Sequence, residues 1–282
     1  MNSPYHEPLA LVIISSISIS LGAVAAGFIL GDILLRRGWR SMMGVMIPVY
    51  VINALYLWPL TLWVYLQYGR PPKPSKEEAP RPQPKPHCHA SSPQEPAEEE
   101  EEEPRPKSHC AHHAPPSKEP EEEGDHCHDR GSERPMFATL TVAVCHCGAG
   151  CVLGDIIGEW LVYGTNTRID GEMLWPAYLI DFAFAIALGL VFQYFSIAPM
   201  SGEYGPKTLY RAAKADFFSL LFFEIGLFAW MASFQIAIFH YKLEMNTVTY
   251  WWLMQIGMFF GHWTAVPINW WLIKTGVKEP CC

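Results

Sequence analysis

Residues 145–160 carry several chemically reactive side chains inside a run that is apolar enough to cross a bilayer. Cys147, Cys151, Asp155 and Glu159 follow one another at four-residue spacing, so a helix would place them in a slowly drifting stripe on one side. Ionisable groups are costly in hydrocarbon and normally face the interior of a helix bundle. Sulfur and carboxylate ligands along one face therefore predict a site for a soft cation.

Two neighbouring side chains extend this candidate metal site. Cys145 supplies a third thiol, and His146 points about 100° away from Cys147 on a regular helix. We expect His146 to join the site only if the helix unwinds near Gly148 and Gly150. The alternative is plain helix packing, because Gly, Ala and Cys at four-residue spacing let two backbones approach closely.

A second set of metal-binding residue types lies in the segment 70–135. It holds 16 Asp/Glu, 10 Lys/Arg and 15 of the 24 prolines, which predicts a disordered acidic loop. Histidine flanks nearly every cysteine in it, and imidazole with thiolate is a ligand set for copper and zinc. The alternative is biased sequence that merely solvates. The predicted loop ligands are His87, Cys88, His89, His109, Cys110, His112, His113, His126, Cys127 and His128.

The last apolar segment and the end of the chain add softer ligands. Met254, Met258 and His262 follow at four-residue spacing, and thioethers favour monovalent copper. Methionines at this spacing also commonly fill a core. Cys281 and Cys282 form a vicinal thiol pair suited to the transfer of a soft metal, or simply a fraying tail.

Carboxylates in the apolar segments indicate an ion path or a proton relay. Asp216 and Glu224 lie eight residues apart, and Glu159 would extend the same path. The sequence has no phosphate loop, no phosphorylation motif and no Gly-rich dinucleotide turn. We therefore predict no enzymatic activity, no catalytic residues and no nucleotide cofactor.

The elements that must position these residues are long apolar helices. The sequence predicts an all-α fold, a polytopic membrane helix bundle of about six transmembrane helices with tryptophans towards their ends. The predicted spans are 9–35, 43–67, 137–163, 174–198, 212–240 and 249–274.

The first pair of spans weakly repeats in the second pair. Residues 31–33 and 48–53 match residues 154–156 and 176–181 respectively. This match favours a duplicated helical hairpin, as in many transporter folds. In this register Val24 and Phe28 occupy the positions of Cys147 and Cys151, so the helix can pack without sulfur there.

Three segments together point to a known family. The runs H-C-G-A-G-C-V-L-G-D, A-K-A-D-F-F-S-L-L-F-F-E and V-P-I-N-W-W-L-I resemble bacterial multi-pass membrane proteins known only as a domain of unknown function, with H-C-x-x-G-C in their first core helix. The resemblance covers about residues 137–276 and implies a fold but no activity. It marks His146, Cys147, Gly150, Cys151, Asp155, Asp216, Glu224, Pro267 and Asn269.

These observations divide the chain into four parts and predict its place in the cell. The parts are an N-terminal hairpin (1–69), the acidic loop (70–135), a four-helix membrane core (136–276) and a Cys-Cys tail (277–282). With the N-terminus inside the cell, ten Lys/Arg residues flank the spans on the inner side and five on the outer side. This excess favours a cytosolic loop and a cytosolic tail, both on the same side of a bacterial inner membrane.

The hypothesis that follows is a membrane protein that binds, and transports or hands over, a soft transition metal. Copper is favoured over zinc or another soft divalent metal; the loop would collect the ion, and Cys147, Cys151 and Asp155 would receive it. Besides the lipid bilayer, a metallochaperone or membrane metalloenzyme is the expected partner, and the acidic charge argues against nucleic acid. The alternatives are an assembly factor for a metalloenzyme, a thiol oxidoreductase using the two cysteines, and a haem site at His146 and His262.

Overall fold

The chain folds into an α-helical bundle, as seen in a computed structural model that describes residues 5–38, 42–70 and 135–278. Within these ranges there are seven α-helices and no β-strand. Four of the helices are long and apolar enough to cross a membrane. The predicted all-α, membrane-type fold is therefore confirmed.

The N-terminal hairpin is made of one long helix and two short ones. Helix α1 spans Leu9–Gly31 and continues as a π-helical turn to Arg37. The returning arm is divided into α2, Met46–Tyr56, and α3, Trp58–Val64, which continues as a π-helical turn to Gly69. The second predicted span, residues 43–67, is thus wrong as a single helix.

A proline explains where the returning arm breaks. Pro59 has no N–H to donate to the carbonyl of Leu55, and its ring would clash with that carbonyl in a continuous helix. The backbone bends instead at Leu57, whose φ is −112° and ψ 34°. The freed carbonyl of Leu55 accepts a hydrogen bond from Nε2 of Gln255 in the last helix. A partner from another helix is how membrane bundles tolerate such a break.

The C-terminal part is a bundle of four long helices. Its helices are α4, Met136–Thr165; α5, Leu174–Ser201; α6, Pro206–Ala232, with a π-helical turn to Ile238; and α7, Val248–Lys274. Several of these helices begin or end at residues that favour helix termini. Asn166 and Gly202 adopt left-handed conformations after α4 and α5, and Pro206 opens α6 at a position that needs no N–H.

Helix α4 is the central helix of the bundle. In its most apolar stretch 78% of the residues are buried, against 22% in α1. It contacts α2, α5, α6 and α7. Asn53 of α2 donates to the carbonyl of Cys145 in α4 at 2.7 Å, which ties the N-terminal hairpin to this centre. The stripe of candidate ligands therefore lies on the most enclosed helix of the protein.

Two further predictions need correction. The last predicted span is one continuous helix of 27 residues, α7, but it is not among the four helices that are apolar enough by composition. In the proposed hairpin repeat, equivalent positions of the two first helices do not face the same environment. Val24 and Phe28 are 69% and 45% exposed, whereas their counterparts Cys147 and Cys151 are fully buried. The predicted disordered loop lies outside the described residues.

Candidate functional site

The predicted stripe on α4 is one continuous buried face. Cys147, Cys151 and Asp155 are fully buried, and Glu159 is only 4% exposed. Each step of four residues advances about 6 Å along a helix, so the stripe covers about 18 Å of the bundle. Two thiols thus lie at the middle of the bundle, and two carboxyl groups continue towards the C-terminal end of α4.

Glycines on the neighbouring face of α4 bring α5 into close contact. Gly150, Gly154 and Gly158 repeat at four-residue spacing. A Cβ atom added at any of them would overlap α5, at Gly189, Ala185 and Asp181 in turn. Small residues at this spacing are the usual means of close helix packing in membranes. The packing alternative weighed from the sequence therefore holds for the glycines, and it places Asp181 beside the acidic end of the stripe.

The thiol end of the stripe is hydrogen-bonded to α6 and α7. Cys147 donates its S–H to the carbonyl of Val144 at 2.9 Å and accepts a hydrogen bond from Oγ of Ser219 at 3.0 Å. Nδ2 of Asn269 in turn donates to the Ser219 oxygen at 2.5 Å. Cys147 is thus fixed in a polar chain that joins three helices.

A lysine from beyond the last helix completes this polar chain. Lys278 is 1% exposed and donates from Nζ to Oδ1 of Asp216 at 2.8 Å and to Oδ1 of Asn269 at 2.9 Å. It also reaches the carbonyl of Ala143 in α4 at 3.2 Å. Asp216 is therefore one half of a buried ion pair, and a role as a free proton carrier does not fit its position.

Three buried carboxyl groups, Asp155, Asp181 and Glu224, lie near one another on α4, α5 and α6. Neither oxygen of Asp155 or Asp181 has a hydrogen-bond partner among the described residues, and the one donor beside Glu224 there is the weakly donating thiol of Cys151. The charges of these groups are close enough to interact with one another, and the thiol of Cys151 faces Glu224. Unpaired polar groups in an apolar interior are costly. We call Cys151, Asp155, Asp181 and Glu224 the acidic cluster; such a cluster favours a bound cation.

The fourth carboxyl group of the path is held differently. Oε1 of Glu159 accepts a hydrogen bond of 2.6 Å from the hydroxyl of Tyr250 in α7. Glu159 is close enough to interact with Asp155 and Asp181, and it also lines a cavity of about 320 Å³ at this end of the bundle. It is therefore the point at which the buried path meets an open space.

Two of the predicted ligands on α4 point elsewhere. Helix α4 is regular through Gly148 and Gly150, so the unwinding that His146 would need does not occur. Nδ1 of His146 lies 3.1 Å from the carbonyl of Val142, and Nε2 lies 3.4 Å from the Ser196 hydroxyl of α5. Cys145 packs in a separate small cluster near α2. The structure therefore does not place His146 or Cys145 in the stripe.

The predicted soft ligands of α7 are buried, but no preformed metal site results. Met254 and Met258 belong to the main apolar core, together with Cys147 and Cys151. Both ring nitrogens of His262 lack a hydrogen-bond partner within the described part of the chain. In that part no three side chains of His, Cys, Asp or Glu converge as metal ligands would. The soft cation site expected on α4 and α7 therefore stays a prediction.

The remaining predicted ligands cannot be placed. The ten histidines and cysteines of the segment 70–135 and the pair Cys281 and Cys282 lie outside the described residues. Their proposed role in collecting or transferring a metal stays a prediction.

The sequence reasoning missed several residues that complete the site. In the sequence, Asp181 stands out only as the last residue of the repeat 176–181. It is also the one acidic or basic residue of the predicted span 174–198, and a lone charge inside a membrane span is a recognised signal of function. Tyr250 and Ser219 carry no such signal, because their importance depends on which helices pack together. Lys278 was counted only as a flanking charge, and its inward direction follows from the tertiary fold.

Comparison with known proteins places the C-terminal core in a protein family. The model of one protein family, described as "Domain of unknown function (DUF4396)", matches residues 136–278, about half of the chain. This range contains the whole of the acidic cluster and its polar chain. No curated protein and no solved structure matches the chain.

Proposed function

We propose that this chain, which belongs to the family of the domain of unknown function DUF4396, binds a cation within its helix bundle and passes it on. The cation we favour is a soft transition metal, with copper ahead of zinc. The observation that carries the proposal is the acidic cluster: three buried carboxyl groups from three helices lie near one another, and the thiol of Cys151 on the most enclosed helix is beside them.

The charge of the cluster selects the class of ligand. The four acidic positions Asp155, Glu159, Asp181 and Glu224 are near one another, and the buried ammonium of Lys278 already has Asp216 as its partner. An anion would be repelled here, and a neutral apolar molecule would leave the oxygens of Asp155 and Asp181 unsatisfied. A cation offsets both costs at once.

The thiols favour a soft metal over a hard one. Cys147 and Cys151 lie one helical turn apart on the same buried face, and no disulfide joins them. Thiolate ligands select monovalent copper and zinc, whereas calcium and magnesium require oxygen ligands alone. Monovalent copper is also satisfied by few ligands, so a pair of neighbouring side chains can hold it without a closed cage.

The spacing of the candidate ligands along α4 suits the movement of a metal ion through the bundle better than its permanent binding. No three metal-binding side chains converge in the described part of the chain, yet candidate ligands recur every turn along α4. Binding that is shared among several weak positions lets an ion leave as well as enter. We therefore favour transport, or transfer to a metalloenzyme, over a structural metal site.

Copper loading of single-site variants tests the proposal. The purified full-length protein is loaded anaerobically with monovalent copper against a competing chelator, and its copper content is measured. We expect Cys151→Ser and Glu224→Gln to lose roughly one copper ion per chain relative to the unsubstituted protein. Cys145→Ser is the matched control, because that thiol is buried on the same helix but outside the cluster. Equal copper in all four proteins would refute the intramembrane site, and zinc loading run in parallel decides the metal.

A further inference from the structure

We propose that the acidic cluster is reached from one side of the membrane only, through the cavity that ends at Glu159, with the Tyr250–Glu159 hydrogen bond as its gate. The proposal rests on the cation site proposed above and adds its route of access. It is built on three observations: the cavity, the residue shared by the cavity and the cluster, and the buried ion pair at the opposite end of the bundle.

The cavity lies where α4 ends, α5 begins and the segment between α6 and α7 folds over them. Its volume of about 320 Å³ has room for roughly ten water molecules. Val162, Ala177 and Leu243 form part of its wall, and polar side chains face them. We call this cavity the vestibule. It is large enough for a metal ion together with part of its hydration shell.

The polar lining of the vestibule is rich in oxygen atoms. Glu159, Glu172 and Glu244 supply carboxyl groups, and Gln235 adds an amide. Gln235 is only 8% exposed, and its Oε1 has no hydrogen-bond partner within the described part of the chain. A buried acceptor without a donor is costly unless a ligand or water satisfies it. This lining suits a hydrated cation.

The basic side chains of the vestibule do not cancel this acidic lining. Arg168 is occupied within its own turn, where it donates to Oδ1 of Asn166 and to the carbonyl of Gly171. Lys242 is the other basic residue of the lining, and it is exposed. Three carboxyl groups thus face two positive side chains, and the excess of one negative charge favours cations over anions in the vestibule.

Glu159 connects the vestibule to the cluster. It lines the vestibule while its charge interacts with Asp155 and Asp181 inside the bundle. The Tyr250 hydroxyl holds one of its oxygens at 2.6 Å, and the Tyr250 ring is fixed edge-on against Phe234 with centroids 5.7 Å apart. In the proposed route, a cation that moves inward displaces this hydroxyl from Glu159.

Among the described residues, the opposite end of the bundle is filled by a buried ion pair. The ammonium of Lys278 is buried there between Asp216, Asn269 and the carbonyl of Ala143. A cation that entered from this end would have to displace the ammonium from Asp216, which would cost the energy of a buried ion pair. The two ends of the path therefore differ, and the proposed entry is through the vestibule.

Cysteine labelling in the full-length protein tests this route. The protein in membranes is treated with two small methanethiosulfonates of similar size, one cationic and one neutral, and labelling of each cysteine is followed by mass spectrometry. We expect Tyr250→Phe to raise the labelling rate of Cys151 at least about tenfold with both reagents, since the gate loses a hydrogen bond to a carboxyl group. Cys145 is the internal control and keeps its rate.

A pair of surface variants makes the test selective for the side of access. Glu244→Lys places a positive charge at the vestibule, and Glu203→Lys places the same charge at the opposite end of the bundle; both side chains are exposed. We expect Glu244→Lys to slow the cationic reagent at Cys151 by at least about threefold without slowing the neutral reagent, and Glu203→Lys to change neither.

Two results would overturn the proposed route. One is slower cationic labelling in Glu203→Lys together with no change in Glu244→Lys, which would place the access at the Lys278 end. The other is an unchanged Cys151 rate in Tyr250→Phe, which would mean that the hydrogen bond is not a gate. The labelling requires no bound metal, so the route can stand where copper binding fails, and copper binding can stand where the route fails.

Discussion

The ammonium of Lys278 lies 2.8 Å from a carboxyl oxygen of Asp216, although the last helix ends at Lys274. Both side chains are almost completely shielded from solvent. The chain must therefore turn back after α7 and insert a charged side chain between α4, α6 and α7. Two charges buried in this way are tolerated because each is the partner of the other.

Removal of the lysine alone should destabilise the bundle strongly. Lys278→Met leaves the Asp216 carboxylate buried without a counter-charge, and we expect a loss of about 3 kcal/mol of unfolding free energy. The thermal unfolding of the protein in detergent gives the measurement. The double variant Lys278→Met with Asp216→Asn should recover much of this loss. If the double variant instead loses the sum of the unfolding free energies that the two single variants lose, the ion pair does not matter to the fold.

The two Gly-Asp-Ile sequences should respond to neutralisation in opposite ways. Asp32 is held by Arg70 through two hydrogen bonds of 2.7 and 2.9 Å, whereas Asp155 has no partner among the described residues. We expect Asp32→Asn to lower the unfolding temperature by several degrees and Asp155→Asn to leave it unchanged or raise it. A buried carboxyl group that lowers the stability of the fold indicates a site that is retained for function.

Copper loading of Asp155→Asn links that stability effect to function. If the bundle binds copper as proposed, we expect Asp155→Asn to lose that copper and Asp32→Asn to keep it. A strong loss of stability in Asp155→Asn would speak against this interpretation, because it would mean that Asp155 supports the fold.

The glycines of α4 should separate into two classes. A Cβ at Gly154 would overlap the backbone of Ala185, whereas nothing lies within 4 Å of a Cβ added at Gly164. We therefore expect Gly154→Ala to destabilise the protein by about 1–3 kcal/mol. Gly164→Ala, in the same helix, should be neutral or stabilise it by up to about 1 kcal/mol, because alanine favours the helix more than glycine does. Similar unfolding temperatures for the two variants would contradict the close packing of α4 on α5.

The effects of substitutions at Gln255 and Pro59 should depend on each other, because both residues act on the Leu55 carbonyl at the helix break. Gln255 donates to the Leu55 carbonyl and accepts a hydrogen bond of 2.7 Å from Ser18. We expect Gln255→Ala to cost about 1–3 kcal/mol of unfolding free energy, since a buried carbonyl loses its donor. Pro59→Ala restores an N–H that can reach Leu55, so it should reduce that cost in the double variant. The comparison requires a double-mutant cycle measured by thermal unfolding.

The sequence alone predicted the local features of this site and not the contacts between helices. Four-residue spacing was enough to place Cys147, Cys151, Asp155 and Glu159 on one buried face, because the period of a helix is fixed. The partners of that face, such as Tyr250 and Lys278, depend on how α7 and its tail pack, which no local pattern encodes. The break at Pro59 was within reach of sequence reasoning, since a proline inside an apolar run interrupts a helix.

The backbone contacts at glycines join the helices of the C-terminal core in two hairpins. Gly150, Gly154 and Gly158 hold α4 against α5, and Gly226 and Gly261 bring α6 close to α7. Two pairs of the proposed path, Cys151 with Glu224 and Glu159 with Tyr250, cross from one hairpin to the other. Asp155 and Asp181 instead lie within the same hairpin. Relative motion of the two hairpins would therefore change both crossing pairs together and leave the distance between Asp155 and Asp181 unchanged.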